Sequence, residues 1–151
     1  MFVSPLSATP IGISKDNSVI WEQRHNRLKW DCSKYYIEIT ERFQCDFCSV
    51  PRLPFIYAKW GDKAHHEGML HDYVYRKDCR IYLKAEGRWV VGMPRDAADA
   101  LFRDAILIRG YGWSIAYPMW LGVRLGGWPH YQKRGVNYRY ELKIVYSDAG
   151  G

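Results

Sequence analysis

The chain has 151 residues, 48% hydrophobic and 25% charged, a composition that excludes a disordered, collagen-like or coiled-coil protein. Its 22 Lys and Arg against 16 Asp and Glu give a formal net charge of +6. This excess favours an anionic partner, although it is also compatible with a basic domain that has none. No apolar run approaches the roughly 20 residues of a membrane-spanning helix, and the N-terminus lacks the pattern of a signal peptide. We therefore expect cytoplasmic synthesis, free thiols at the four cysteines and one domain with a sizeable core.

The first third of the chain predicts extended structure. Residues 1–18 predict an extended, proline-containing arm. β-Branched and aromatic residues that alternate with polar ones predict strands over 18–21 and 35–43. Two prolines exclude a regular helix over 45–54 and predict a loop that holds several polar groups.

A first helix is predicted over 63–76, with Asp62 as its N-cap. One stripe of this helix carries Ala64, Gly68, His71 and Tyr75. The two small residues allow another backbone to approach, so His71 is expected to face that contact. A β-hairpin with strands over 81–83 and 89–91 follows.

A second helix begins at Pro94 and runs to about Arg109. Its apolar stripe consists of Ala98, Phe102, Ala105 and Ile106, and Asp99 lies at the edge of that stripe. A third helix over 114–125 and a last strand over 138–146 complete the prediction. The expected fold class is α+β: a single small domain with a helical centre and small antiparallel sheets or hairpins. We divide it into an arm (1–18), a core (19–127) and a basic, aromatic C-terminal strand or tail (128–151).

The strongest candidate site combines His71 with Asp99 and Tyr75. A histidine general base needs a partner that fixes its tautomer. Asp72 is adjacent in sequence and points about 100° away around the helix, so it suits a metal ligand better than an orienting group. Asp99 is the natural orienting carboxylate, because a buried carboxylate without a partner is costly. The alternative is that His71 and Asp99 only lock two helices together.

Other patterns carry weaker signals. Cys45 and Cys48 form half of a zinc site without a second half, and the run 65–71 lacks the H-E-x-x-H spacing of a zinc protease. The basic, aromatic stretch 128–139 suits a nucleic-acid strand or, more simply, a solvated strand face. The segment 115–121 suits a membrane interface or, more simply, the core.

Three motifs in order resemble a family of small, uncharacterised proteins of tailed bacteriophages and prophages, formally a domain of unknown function. The motifs are D-F-C-S-V-P-R (46–52), L-H-D-Y-V-Y-R (70–76) and A-D-A-L-F (98–102), and the likeness covers roughly 3–126. These motifs, with a fourth matching piece over 116–126, single out Phe47, Ser49, Pro51, Arg52, Phe102 and Arg124. The resemblance implies a virion- or tail-associated accessory or structural protein, made in the host cytoplasm, whose partners are other phage structural proteins.

A more distant likeness is to secreted and parvoviral phospholipases. It implies a metal-assisted ester hydrolase acting on phospholipid during infection, with a cell-wall bond as the second substrate to consider. His71 would be the general base, Asp99 its orienting group, Tyr75 the support of Asp99, and Asp72 a Ca²⁺ ligand. Asp46 is a further candidate ligand, because residues 57–63 contain one glycine where the phospholipases have a glycine-rich calcium loop. A basic protein acting on nucleic acid is the third class.

Overall fold

The computed structural model describes residues 1–4, 6–25, 27–46 and 65–146. These contain three helices and two small antiparallel sheets in one small domain, which confirms the predicted α+β fold. The strands are β1 (Ala8–Ser14), β2 (Val19–Gln23), β3 (Leu28–Asp31), β4 (Tyr35–Ile39), β5 (Gln44–Cys45), β6 (Arg80–Leu83), β7 (Arg88–Val91) and β8 (Leu142–Val145). The helices are α1 (His65–Val74), α2 (Arg95–Ile108) and α3 (Trp113–Gly126), followed by a short 3₁₀ helix (Trp128–His130).

The first sheet joins the two ends of the described chain. Its strand order is β5-β2-β1-β8, so β1 pairs with β2 on one side and with β8 on the other. The segment predicted as an arm (1–18) therefore contains a strand of this sheet, and the predicted C-terminal strand or tail contains the strand β8. Gly12 permits the β1–β8 contact, since a Cβ at this position would lie 2.2 Å from the carbonyl oxygen of Ile144.

The second sheet has the order β3-β4-β6-β7 and contains the predicted hairpin as β6 and β7. The strand predicted over 35–43 ends earlier, at Ile39. A turn stops it there: Arg42 takes a left-handed φ of 69°, and the amide of Phe43 donates to the carbonyl of Thr40.

The last strand is shorter than predicted and begins at Leu142 instead of residue 138. The chain just before it is held by other contacts. The amide of Tyr138 donates to the carbonyl of Gly135, and the amide of Tyr140 donates to the side chain of Gln44. These bonds replace a regular strand ladder.

Two apolar clusters place the helices. The larger includes Trp30, Ile37 and Phe43 from the strand region together with Met69 and Leu70 of α1. The smaller lies between α2 and α3 and consists of Phe102, Ile106, Ala116, Met119 and Val123. The predicted stripe of α2 is buried as expected. Both α1 and α3 pack against α2.

Two expectations from the sequence concern single features. Cys32, Cys45 and Cys79 carry thiol groups, as expected, and Cys48 lies outside the described residues. Across the described ranges, no helix has the length and apolar character needed to cross a membrane.

Candidate functional site

A buried carboxylate of α2 lies at the point where the three helices meet. Asp99 Oδ1 is 2.8 Å from His71 Nε2 and accepts a hydrogen bond of 2.5 Å from the Tyr75 hydroxyl. Its Oδ2 accepts a hydrogen bond of 2.8 Å from Arg124 of α3. Arg95, one helical turn before Asp99, brings its Nε to 3.8 Å from the same oxygen. We call these five residues the Asp99 cluster.

The sequence places these groups by simple spacing. His71 and Tyr75 are four residues apart, so they lie on one side of α1 and of the turn that follows it. Asp99 interrupts an otherwise apolar stripe of α2, which turns it inward. The side chains of His71 and Asp99 have no exposed surface. The expected pairing of His71, Asp99 and Tyr75 is thus present in the structure.

Electrostatics fix the protonation of the cluster. Burial alone would raise the pKa of Asp99, but hydrogen bonds from His71, Tyr75 and Arg124 together outweigh it and hold that pKa below its usual value. Burial lowers the pKa of His71 despite the neighbouring carboxylate, and it raises the pKa of Tyr75. At neutral pH Asp99 is therefore an anion that accepts from a neutral His71.

This assignment sets the tautomer of His71 by inference. A carboxylate accepts hydrogen bonds, so the proton of the neutral imidazole lies on Nε2 and the basic lone pair on Nδ1. The ring is packed between two aromatic rings, with centroids 4.1 Å from Tyr75 and 4.8 Å from Phe102. Phe102, expected only as a motif residue, thus orients the imidazole.

Two residues of this region were not predicted from the sequence. Arg95 lies four residues before Asp99, a spacing at which an ion pair on one helix can be anticipated. Gly127 packs against Tyr75, because a Cβ at this position would lie 2.7 Å from the Tyr75 hydroxyl oxygen and 2.6 Å from the Val123 carbonyl oxygen. Nothing local in the sequence indicates this contact.

The two expected metal ligands lie together in a second, smaller site. Asp46 and Asp72 both line a pocket that borders the Asp99 cluster at Tyr75. The other lining residues are Arg76, His130, Lys133, Arg134 and Tyr140. Within the described ranges, no group of three or more His, Cys, Asp or Glu residues could hold a metal ion. These residues thus offer two carboxylates towards the six to eight oxygen ligands of Ca²⁺.

Several predicted positions lie outside the described residues. These are the motif residues Phe47, Ser49, Pro51 and Arg52, the cap Asp62, the small residue Ala64 and the segment 57–63. The basic, aromatic stretch after 128 is described and is engaged with the domain. Arg134 donates to the Tyr140 hydroxyl, and Arg139 donates to the carbonyl of Arg42.

A second carboxylate without exposed surface was not predicted from the sequence. Glu67 of α1 is fully buried, and its Oε1 lies 3.2 Å from Nε of Arg109. Among the described residues neither carboxylate oxygen accepts a hydrogen bond from another side chain. Burial raises the pKa of Glu67 to about 7, although its own backbone amide and the charge of Arg109 oppose this. Because Glu67 precedes His71 by one helical turn, its position on the inner face could have been read from spacing.

The fold and the site define a small α+β protein whose three helices meet on a buried His–Asp–Arg cluster. The chain belongs to the family described as "Protein of unknown function (DUF1353)", whose model matches residues 25–123. The matched range includes His71, Tyr75, Arg95 and Asp99 and ends one residue before Arg124. Comparison with curated proteins and with solved structures found no match.

Proposed function

We propose that this chain is an accessory structural protein of a tailed-phage particle, in which the Asp99 cluster fixes the packing of the three helices. The observation that carries the structural role is the set of donors on Asp99. They come from α1 (His71), from the turn after α1 (Tyr75) and from α3 (Arg124). One carboxylate of α2 thereby ties α1, with the turn that follows it, and α3 to α2.

Burial of the cluster favours this structural role. The side chain of His71 has no exposed surface, whereas a general base must reach both water and substrate. The negative charge of Asp99 is balanced within the protein by Arg124. The phage setting rests on the motifs over 46–52, 70–76 and 98–102, and it implies other particle proteins as partners.

A hydrolase is the second candidate, because one specific arrangement favours it. His71 Nε2, Asp99 and the Tyr75 hydroxyl stand in the relation that the phospholipase resemblance implies. Asp46 and Asp72, the Ca²⁺ ligands that the resemblance implies, line a pocket next to Tyr75. Arg76, Lys133 and Arg134 line the same pocket, and Arg134 lies 3.8 Å from Asp46, so its described residues do not suit a bound cation.

The chain's own part in that reaction is proton transfer at one nitrogen. His71 Nδ1 would take a proton from water while the water oxygen bonds to the ester carbonyl carbon. The ester C–O bond would then break, and the departing alkoxide would receive the proton back from Nδ1. Asp99 would hold the ring during both transfers.

Two substitutions of one residue separate these candidates. In His71→Gln the amide nitrogen reaches the position of Nε2 and keeps the bond to Asp99, whereas the shorter side chain of His71→Asn does not reach it. Neither variant has a basic nitrogen at the position of Nδ1. The variants are placed in a phage that carries this gene, and assembled and infective particles are counted.

The structural role predicts that His71→Gln assembles and infects normally, whereas His71→Asn reduces the number of particles. Purified protein should release no fatty acid from phospholipid vesicles, with or without Ca²⁺. The opposite result is normal assembly of both variants, loss of infectivity in both, and Ca²⁺-dependent ester cleavage by the parent alone. That result would replace the structural role by the hydrolase.

A further inference from the structure

An ion pair joins the end of α2 to the first turn of α1. Arg109, the residue that caps α2, brings its Nε to 3.2 Å from Oε1 of Glu67. Glu67 has no exposed surface, whereas 31% of the Arg109 side chain is exposed. Among the described residues, no side chain donates a hydrogen bond to the Glu67 carboxylate. A carboxylate in this position has lost its hydration and has recovered little in exchange.

Arg109 is the charged group that faces Glu67 from α2. Together with the backbone amide of Glu67 itself, it lowers the pKa of that carboxyl, but burial prevails and the pKa is about 7. On α1 the neighbouring titratable groups are two imidazoles. His66 packs its ring against Phe2, with 5.1 Å between the centroids, and His71 is neutral and bonded to Asp99. Glu67 therefore holds a proton in acid and carries a charge without hydration above neutral pH.

The end of α2 is held less firmly than α1. Met69 and Leu70, which follow Glu67 on α1, have no exposed surface. The last residues of α2 are exposed, and Ile108 exposes 51% of its surface. Gly110 and Gly112 beyond them take left-handed φ angles of 88° and 85°, and a Cβ at either would meet no described atom within 4 Å. Local opening begins where few buried contacts must break, so the end of α2 can leave α1 while the rest of α2 stays packed.

Arg109 and the connection between α2 and α3 form one unit. The guanidinium carbon of Arg109 lies 5.9 Å from the ring centroid of Tyr111, and the Tyr111 ring is only partly buried. Release of Arg109 from Glu67 therefore releases the segment around Tyr111 as well. We call the residues 108–112 the α2 latch.

We infer that the α2 latch is a pH-sensitive contact, closed on α1 in acid and open more often at neutral and alkaline pH. In the closed state Glu67 is shielded from water. In the open state residues 108–112 leave α1 and water hydrates the carboxylate. The inference does not depend on the function proposed above, because the donors of Asp99 lie outside the latch.

Proton linkage gives the sign and the size of the effect. Closed Glu67 keeps its proton up to a pH of about 7, whereas hydrated Glu67 loses it near the ordinary value of 4.5. The open state therefore gains on the closed state as pH rises between these values. The equilibrium constant for opening should rise about 40-fold from pH 5 to pH 7, and less than about twofold from pH 7 to pH 8.

Amide hydrogen exchange, followed by NMR on the full chain, tests the inference. The reporters are the amides of Arg109, Gly110 and Tyr111, which donate to carbonyl groups of α2. After division by the intrinsic exchange rate at each pH, their opening constant should show the 40-fold rise. The amide of Tyr75, bonded to the carbonyl of His71, is the reference for global unfolding. Low urea should accelerate exchange at Tyr75 and leave the latch unchanged, because local opening exposes little surface.

Glu67→Gln removes the titrating group and should abolish the rise between pH 5 and pH 7. Glu67→Met has a similar volume and no charge, and it repeats the test should Glu67→Gln melt lower than the parent. Glu86→Gln is the matched control, since Glu86 is exposed in the turn of the β6–β7 hairpin. It should keep the full rise of the parent.

Three results would overturn the inference. In the first, the opening constant of the latch in the parent does not change between pH 5 and pH 7. In the second, both Glu67 variants keep the rise. In the third, the latch amides exchange with the urea dependence of Tyr75, which would mean that Glu67 acts on global unfolding and that no local latch exists.

Discussion

Two carboxylates are fully buried where α1 and α2 meet, and the protein treats them in opposite ways. Asp99 accepts hydrogen bonds from three side chains on two other parts of the fold. Glu67, one turn before His71, has a single ion pair with Arg109 and no hydrogen bond from another side chain among the described residues. Neither residue has exposed surface, so the comparison shows what hydrogen-bond donors contribute to a buried carboxylate.

The consequence is visible in the two pKa values. Burial raises the pKa of both groups, but at Asp99 the donors reverse the direction, whereas at Glu67 burial prevails and the pKa rises to about 7. A charged buried group stabilises a fold only when its hydrogen bonds replace the lost hydration. Asp99 should therefore stabilise the protein, and charged Glu67 should destabilise it.

Removal of Asp99 gives the largest expected effect. Asp99→Ala leaves His71, Tyr75 and Arg124 without their common acceptor, so we expect a loss of about 3–5 kcal/mol in the free energy of unfolding. Urea unfolding at pH 7 measures it. Asp104→Ala, on the same helix but half exposed and paired with Arg103, should change the free energy by less than about 1 kcal/mol. Equal effects of the two substitutions would remove any special role of the cluster in stability.

Glu67→Gln should raise the free energy of unfolding, whereas Asp99→Ala lowers it. In the native protein Glu67 binds its proton up to a pH of about 7, whereas in the unfolded chain it loses the proton near the ordinary value of 4.5. The native state therefore holds more protons between these values, and the free energy of unfolding falls as pH rises through this window. A neutral amide does not titrate, so the variant should exceed the parent by about 2–3 kcal/mol at pH 8 and by much less at pH 5.

Urea unfolding between pH 5 and pH 8 tests this difference. Glu86→Gln, in the exposed turn of the β6–β7 hairpin, is the control and should keep the pH dependence of the parent. If Glu67→Gln does the same, Glu67 is not the group that titrates in this window.

The contrast between the two carboxylates also shows how much the sequence could tell. Asp99 is predictable because a charged residue on an apolar helical stripe needs a partner, and His71 lies on the facing helix. The zinc-protease pattern, which fails over 65–71, assigns no role to Glu67. The same helical spacing that places His71 on the inner face of α1 also places Glu67 there, so its burial could be predicted from the sequence.

Contacts between distant parts of the chain could not be predicted from local sequence patterns. The segment 8–14 contains Pro10 and Gly12, which locally favour an irregular arm, yet β1 pairs with β8 more than a hundred residues later. Register between such distant strands depends on how the whole domain closes, which local periodicity does not encode. The contact of Gly127 with Tyr75 likewise joins distant parts of the chain and could not be predicted from local patterns.

Gly127→Ala tests whether Tyr75 must stay in place for Asp99 to remain satisfied. A methyl group there would overlap the Tyr75 hydroxyl and the Val123 carbonyl, so we expect a loss of about 1–3 kcal/mol. The adjacent Gly126→Ala is the matched control, because a Cβ at Gly126 meets no atom within 4 Å. It should be neutral or slightly stabilising in urea unfolding at pH 7. A neutral Gly127→Ala would show that Tyr75 can shift without cost to the cluster.

The smallest expected effect is that of His71→Gln, which keeps the hydrogen bond to Asp99 and removes the group that can gain a proton. His71→Gln keeps a donor to Asp99 and loses the ring contacts with Tyr75 and Phe102, so we expect a cost of about 1 kcal/mol at pH 7. Burial lowers the pKa of native His71, so below the ordinary value of 6.5 the unfolded chain binds a proton that the native state resists. The free energy of unfolding of the parent therefore falls as pH falls from 6.5, and that contribution is absent in the variant.

Two matched measurements decide this last point. The free energy of unfolding of His71→Gln should be lower than that of the parent at pH 7, and this difference should shrink or reverse at pH 5. The exposed control His25→Gln should show no such change. Glu67→Gln should change in the opposite sense over the same range, since its gain is largest at high pH. A deficit of His71→Gln that stays constant would mean that His71 is not held neutral by burial. In that case the different numbers of hydrogen-bond donors at Asp99 and Glu67 would be the remaining explanation for the stability of the contact between α1 and α2.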